Sequence, residues 1–433
     1  MSLLIAATRS RRRFTGRAAM LFFLLSLVGY SPIHGSEESL EVEAKVNAIK
    51  AKLIEVRRDL HRHPELGNRE TRTARQVADY LKNLGLDVKT QVAKTGVVAL
   101  LKGGRPGPTV ALRADMDALP IQELNDVPYK SLNAGVKHAC GHDTHMTVAL
   151  GAAEVLAGMK DRLKGNVKFI FQPSEEGPPE GEEGGAKLMV KEGVLENPKV
   201  SAIFGLHVMP FLDVGTVGYR SGATMASADK FTIEIIGKKV HAAYPHTGID
   251  PVPIAAQVVM GLQTIVSRQI DAREPAVLSI GLIEGGNRFN ILADKVRLVG
   301  TVRTLNSELR KDIAARMEKV VKGITATYGA SYKLSYEEGT AVTVNDPVLT
   351  RRILPVLERI LGSKRVIVTA PQMGAEDFSY FGEQVPGFYY FLGVRNETKG
   401  ITHQIHTEWF DVDEEAIPVG VTLMTSMVLD FLR

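Results

Sequence analysis

Between residues 97 and 207, short apolar runs alternate with helical stretches, and the runs close on polar motifs. The runs are Val97–Leu101, Thr109–Arg113, Val167–Gln172 and Ala202–His207, with helical stretches at about 144–160 and 184–193. Strands that alternate with helices predict an α/β layer around a largely parallel sheet. Ligands bind beyond the carboxyl ends of such strands. Arg113-Ala114-Asp115, Gln172-Pro173-Ser174-Glu175-Glu176 and Gly205-Leu206-His207 all stand at predicted strand ends, so these motifs are expected to converge. Two helices precede the layer, at 41–60 (Val46, Ile49, Leu53, Val56, Leu60) and at about 70–84, the second ended by Gly85. Glu175–Gly185, rich in Glu, Gly and Pro, reads as a loop.

Near residue 225 the rhythm changes. Lys230–Gly237 alternates polar and apolar, a helix follows at about 251–268, then strands at 276–283 and 295–304, then a helix at about 306–327. This β-α-β-β-α-β order is ferredoxin-like. It predicts a two-domain chain: residues 36–224 and 338–433 form one α/β domain, and residues 225–337 form an α+β domain inserted in it.

Residues 1–35 read as an export signal, with arginines ahead of the apolar run Ala18–Val28 and a cleavage point at Gly35-Ser36. That run is shorter than the roughly 20 residues a membrane helix needs, so no stable span is expected after cleavage. Ser10-Arg11-Arg12-Arg13-Phe14 resembles the twin-arginine signature, with a Sec-type signal carrying surplus arginines as the alternative. The expected location is periplasmic or secreted. The net charge of +4 is carried by this leader, where Arg9, Arg11, Arg12, Arg13 and Arg17 face no acid. The rest is close to neutral and has no basic stripe, which argues against a nucleic-acid partner.

The single Cys excludes a disulfide framework. It lies in His138-Ala139-Cys140-Gly141-His142-Asp143-Thr144-His145, where Cys140 and His142 are spaced to reach one ion across a turn at Gly141. Thiolate and imidazole suit zinc or another borderline transition metal. Glu175-Glu176 offers one acid for metal and one for substrate, or else a solvated acidic loop. His207 closes an apolar strand, where a buried, hydrogen-bonded His is the other reading, and His406 sits in an irregular segment. Together these residues suffice for two adjacent ions. With no resolving Cys, a redox role for Cys140 is disfavoured.

Ordered motifs from His61 to Glu415 give the chain a resemblance to the M20 metallopeptidase/aminoacylase family. They are HRHPELGNRE (61–70), ALRADMDALP (111–120), HACGHDTH (138–145), FQPSEEG (171–177), GLHV (205–208), HAAYPH (241–246), DP (250–251), NILAD (290–294), GTVRT (300–304), GAEDFSYF (374–381) and IHTEWFDVDEEAI (405–417). The nearer match is the amidohydrolase branch of N-acyl-amino-acid, hippurate and auxin-conjugate hydrolases. The resemblance implies a zinc-peptidase-like catalytic domain with an inserted lid and dimerisation domain, two divalent ions per subunit (Zn or Mn, Co or Ni), and a homodimer. The substrate it implies is a small N-acyl amino acid or peptide-like amide, cleaved by metal-activated water. A dipeptidase or carboxypeptidase is the alternative within the family, and an inactive envelope binding protein the alternative outside it.

By the same resemblance, Cys140 bridges the ions and His142, Glu176, His207 and His406 complete the ligands. Glu175 is the general acid/base, Asp115 orients a ligand, His241 reaches the substrate carbonyl from a dimer partner, and Asn290 and Arg303 contact substrate. His61, His63, Glu65, Asp117, His138, His145, His246, Glu376 and Asp377 are read as supporting residues. The chain departs from the family at Lys239-Val240, where Gly often precedes the motif His, and at Ala293, where Pro is common. Both departures concern the pocket and inserted domain rather than the metal shell.

Overall fold

The computed structural model describes residues 34–433, and the leader reading lies outside the described residues. Helices α1 (His34–Arg62) and α2 (Thr71–Asn83) precede strands β1 (Asp87–Val92), β2 (Gly96–Lys102) and β3 (Arg105–Asp115). Then come α3 (His142–Ala157), β4 (Lys164–Gln172), α4 (Gly185–Lys191), β5 (Val200–Asp213), β6 (Val217–Tyr219) and β7 (Gly222–Met225). The second region holds β8 (Ala228–Ile236), α5 (Pro251–Thr264), β9 (Ala276–Gly285), β10 (Lys295–Thr304), α6 (Ser307–Thr327) and β11 (Ser331–Thr340). The chain closes with β12 (Thr343–Asn345), α7 (Pro347–Leu361), β13 (Val366–Val368), α8 (Ser379–Gly382), β14 (Gly387–Arg395) and α9 (Ala416–Phe431).

Eight strands form the main sheet in the order β1-β2-β4-β3-β5-β14-β6-β13. Its centre, β4-β3-β5-β14, is parallel, and β1 and β2 run antiparallel at one edge. α3 is buried on nearly every side, as its all-round apolar sequence requires, and packs between α1 and α9. The second sheet is wholly antiparallel, in the ferredoxin-like order β11-β8-β10-β9. Its alternating residues Phe231, Ile233 and Ile235 are fully buried, each worth about 1.5–3 kcal/mol of transfer free energy. The side chain of Asn306 caps α6 by accepting from Glu308 and Leu309 N–H, and that of Asp250 caps α5 by accepting from Val252 N–H. The strands β7 and β12 pair with each other where the chain enters and leaves this second sheet. Among the described residues, no helix is long and apolar enough to cross a membrane.

The structure corrects the placement of His207. β5 runs on to Asp213, so His207 stands inside a strand rather than at its end. The extension is supported on one side by β14, through Gly393↔Met209 and Arg395↔Asp213, while the ladder with β3 stops at Leu112↔Phe204. His61 likewise lies in the last turn of α1, not after it.

Candidate metal centre

α3 begins at His142, and Gly141 ahead of it sits at φ 86°, in the left-handed region that favours glycine. A Cβ at residue 141 would lie 2.3 Å from Val208 Cγ2. Gly141→Ala is therefore expected to cost about 1–3 kcal/mol through overpacking and to lower the ion content. Thermal unfolding and elemental analysis check both; an unchanged melting temperature with full ion content would reject it.

Donor atoms of Cys140, His142 and His207 lie within 4.8 Å of one another, and so do those of Cys140, Glu176 and His406. Cys140 Sγ is 3.2 Å from His207 Nε2 and 3.2 Å from His406 Nε2. Two triads thus share one sulfur. His207 donates its Nδ1–H to Val208 O at 2.7 Å, which leaves the Nε2 lone pair facing the sulfur. His142 Nδ1 lies 3.3 Å from Asp117 Oδ1. A partner on the second ring nitrogen is what fixes an imidazole for metal binding. Both ring nitrogens of His142 are buried without an aligned hydrogen bond, Asp117 being an ion-pair neighbour only. Glu176 Oε1 is 3.0 Å from His406 Nε2 but lacks the alignment of a hydrogen bond.

The surroundings are strongly electronegative. Asp115, Asp117, Glu175, Glu176, Glu376 and Asp377 gather here, and the buried Arg113 pairs with three of them. Arg113 reaches Asp115 Oδ2 at 2.7 Å and both Glu376 Oε1 and Asp377 Oδ1 at 2.9 Å. Burial, then the charges of Glu176 and Glu175, pushes the Cys140 thiol well above its ordinary value. Burial alone would lower His142, but Asp115, Asp117 and Glu176 outweigh it and push the ring up to about 10. Burial holds His207 down at about 3. Burial, then Glu376, Asp377 and Glu176, raises the Glu175 carboxyl well above the carboxylate range. Converging soft and hard donors, orphaned buried lone pairs and excess negative charge fit a pair of divalent transition cations.

The supporting residues divide differently from the expectation. Asp115 Oδ1 contacts His145 Nδ1 at 2.6 Å and lies 3.8 Å from His142. Asp117, nearer to His142, also accepts the Glu176 N–H at 3.0 Å and so touches two candidate ligand residues. His61 bonds Asp143 at 2.8 Å and Glu123 at 3.1 Å, a structural network. The His63 ring donates to Asp59 O, and Glu65 caps α2 by accepting from Arg72 and Thr73 N–H. His138 is buried without a hydrogen-bond partner, and His246 is exposed. Glu376 and Asp377 reach the centre through Arg113 and abut Glu175.

A cavity of about 510 Å³ is lined by Cys140, Glu175, Glu176, His207 and His406. Arg303 is the lone cationic wall residue besides imidazoles, and Met209, Phe211 and Met225 add apolar wall. The structure does not bring His241 or Asn290 to this cavity. They lie beside each other in the second region, where Ala242 N donates to Asn290 O at 3.0 Å, with His241 exposed. The sequence reading missed Arg113, Arg57 and Lys137 as buried charges. The only signal was Arg113 within the apolar run Val110–Ala114.

Residues 111–430 match the sequence family described as Peptidase family M20/M25/M40. The chain is 40% identical over 388 residues to thermostable carboxypeptidase 2 of Saccharolobus solfataricus, covering 89% of this chain and 97% of that one. It is 39% identical over 381 residues to N-acetyl-L-cysteine deacetylase of Bacillus subtilis, covering 88% of each. Among solved structures it resembles the Bacillus subtilis YXEP protein, described as a dinuclear metal-binding peptidase from the M20 family. There the TM-score is 0.78 at 36% identity, over 89% of this chain and 99% of that one.

Proposed function

Since the chain belongs to peptidase family M20/M25/M40, we propose that it is an N-acyl-amino-acid amidohydrolase that works with two divalent ions. It is a metal-dependent amide hydrolase. The observation that carries the finer reading is the pair of triads on one sulfur, with Glu175 beside them in the same cavity. Cys140, His142 and His207 would hold one ion, and Cys140, Glu176 and His406 the other. Zn or Mn, with Co or Ni, suits these donors. Such ions supply Lewis acidity to a carbonyl and to water. Two cations beside it would return the raised Glu175 carboxyl to its ionised form, in which it takes the proton of the attacking water and returns it to the leaving nitrogen, a role worth about 10²–10⁴-fold. Arg303, on the cavity wall, would meet the substrate carboxylate, while Met209, Phe211 and Met225 would take an apolar portion.

We further propose a homodimer. β9 is an edge strand, and Leu282, Ile283 and Phe289, on it and just beyond it, are exposed, Phe289 by 94%. An unprotected apolar edge invites pairing with a second copy. His241 and Asn290 would then serve the partner's cavity. Residues 225–337 are taken as the inserted unit, and the leader supports export to the periplasm or beyond.

The 40% identity to a carboxypeptidase favours the second reading, an exopeptidase. The test is hydrolysis of hippurate and N-acetyl amino acids against dipeptides by the full chain loaded with each metal. Faster cleavage of acyl amino acids is expected. Faster cleavage of dipeptides would make it an exopeptidase, and hydrolysis of neither would sink the proposal.

A further inference from the structure

His145 stands on the first turn of α3 and is 2% exposed. Its Nδ1 lies 2.6 Å from Asp115 Oδ1, and Val208 N–H donates to its Nε2 at 2.9 Å. A backbone amide only donates, so Nε2 carries the lone pair and Nδ1 carries the hydrogen that Asp115 accepts. Both ring nitrogens are therefore engaged. This matters because His145 also sits within ligating distance of Asp115 and His142, which by distance alone would make it a candidate ligand. Its lone pair is already taken by Val208.

The location gives the ring a task. The β3–β5 ladder ends at Leu112↔Phe204. Three residues further in the same register stand Asp115 and His207, past the last backbone pair. The link there is the side chain of His145, which joins Asp115 to the amide next to His207. Arg113 fixes the other oxygen of Asp115 at 2.7 Å. The rings of His142 and His207 flank His145, with centroids 5.3 and 4.8 Å away.

We infer that His145 is a positioning residue that bridges the open end of the β3–β5 ladder and so holds His207 and His142 on Cys140. The inference rests on the reading that Cys140, His142 and His207 bind one ion. The test is Zn²⁺ binding by the full chain, followed by equilibrium dialysis and elemental analysis. His145→Gln keeps a donor for Asp115 and an acceptor for Val208. His145→Leu keeps neither. His145→Leu is expected to weaken one of the two ions by about 10–100-fold, and His145→Gln to bind both nearly as the parent does. Apo-protein circular dichroism should be unchanged in each. If His145→Leu does not fold, His145→Asn, too short to span both partners, reads the same loss. Two ions bound by His145→Leu at parental affinity would overturn the inference. Equal loss in the Leu and Gln variants would make His145 a ligand and overturn it too. A parent chain that takes up no pair of ions would instead sink the metal reading itself.

Discussion

Glu175→Gln is expected to lower kcat by about 10²–10⁴-fold while each chain still holds two ions. The substitution keeps size and removes the ability to take a proton. Glu175 lies in the loop after β4, beside Glu176 but turned toward Glu376 and Asp377, with its Oε1 3.5 Å from Asp377 N. It also borders the cavity lined by Cys140, Glu176, His207 and His406. The rival role is ligation, since its donor atoms come within 4.8 Å of those of His142 and Glu176. Turnover of an acyl amino acid and ion content, measured on one preparation, separate the two. Loss of an ion would move Glu175 into the ligand set, and near-parental kcat would remove it from the chemistry.

Arg57→Met is expected to destabilise the apo-protein by about 3–5 kcal/mol. Arg57 is 1% exposed, on the inner face of α1. Its Nε lies 2.8 Å from Asp143 Oδ2 and its Nη2 3.0 Å from Asp411 Oδ1, and its guanidinium covers the Tyr129 ring at 4.7 Å. Burial alone would raise the Asp143 carboxyl. Arg57 and His61 override that and hold it well below the usual range. Methionine fills the space and leaves two acids in the interior without their cation. Denaturant unfolding reads the loss, and Asp143→Asn in the same chain should recover part of it, because the two sites couple directly. A loss under about 1 kcal/mol would mean that water reaches these acids.

How much of this was readable beforehand follows from how local each signal is. The parallel centre and the inserted antiparallel sheet announce themselves through periodicity, and the donors cluster in motifs that stand near strand ends. β1 escaped because Asp87–Val92 is a mostly exposed edge strand with no apolar run to mark it. The extension of β5 past His207 depends on β14, nearly 200 residues away in sequence. Arg113 meets Glu376 across 263 positions, and Arg57 meets Asp411 across 354. No spacing rule reaches that far. Asp115 and Asp117 are alike in sequence, and only the fold sets Asp117 closer to His142. His241 and Asn290 stand beside each other away from the cavity, and no local pattern in the sequence marks that separation.

The β7–β12 ribbon carries one more consequence. Everything from Ala228 to Thr340 hangs from two strands that leave side by side and are hydrogen-bonded to each other. Met225 and Thr340, at the two attachment points, both line the reaction cavity. Any rotation of that region about the ribbon would therefore change the width of the cleft.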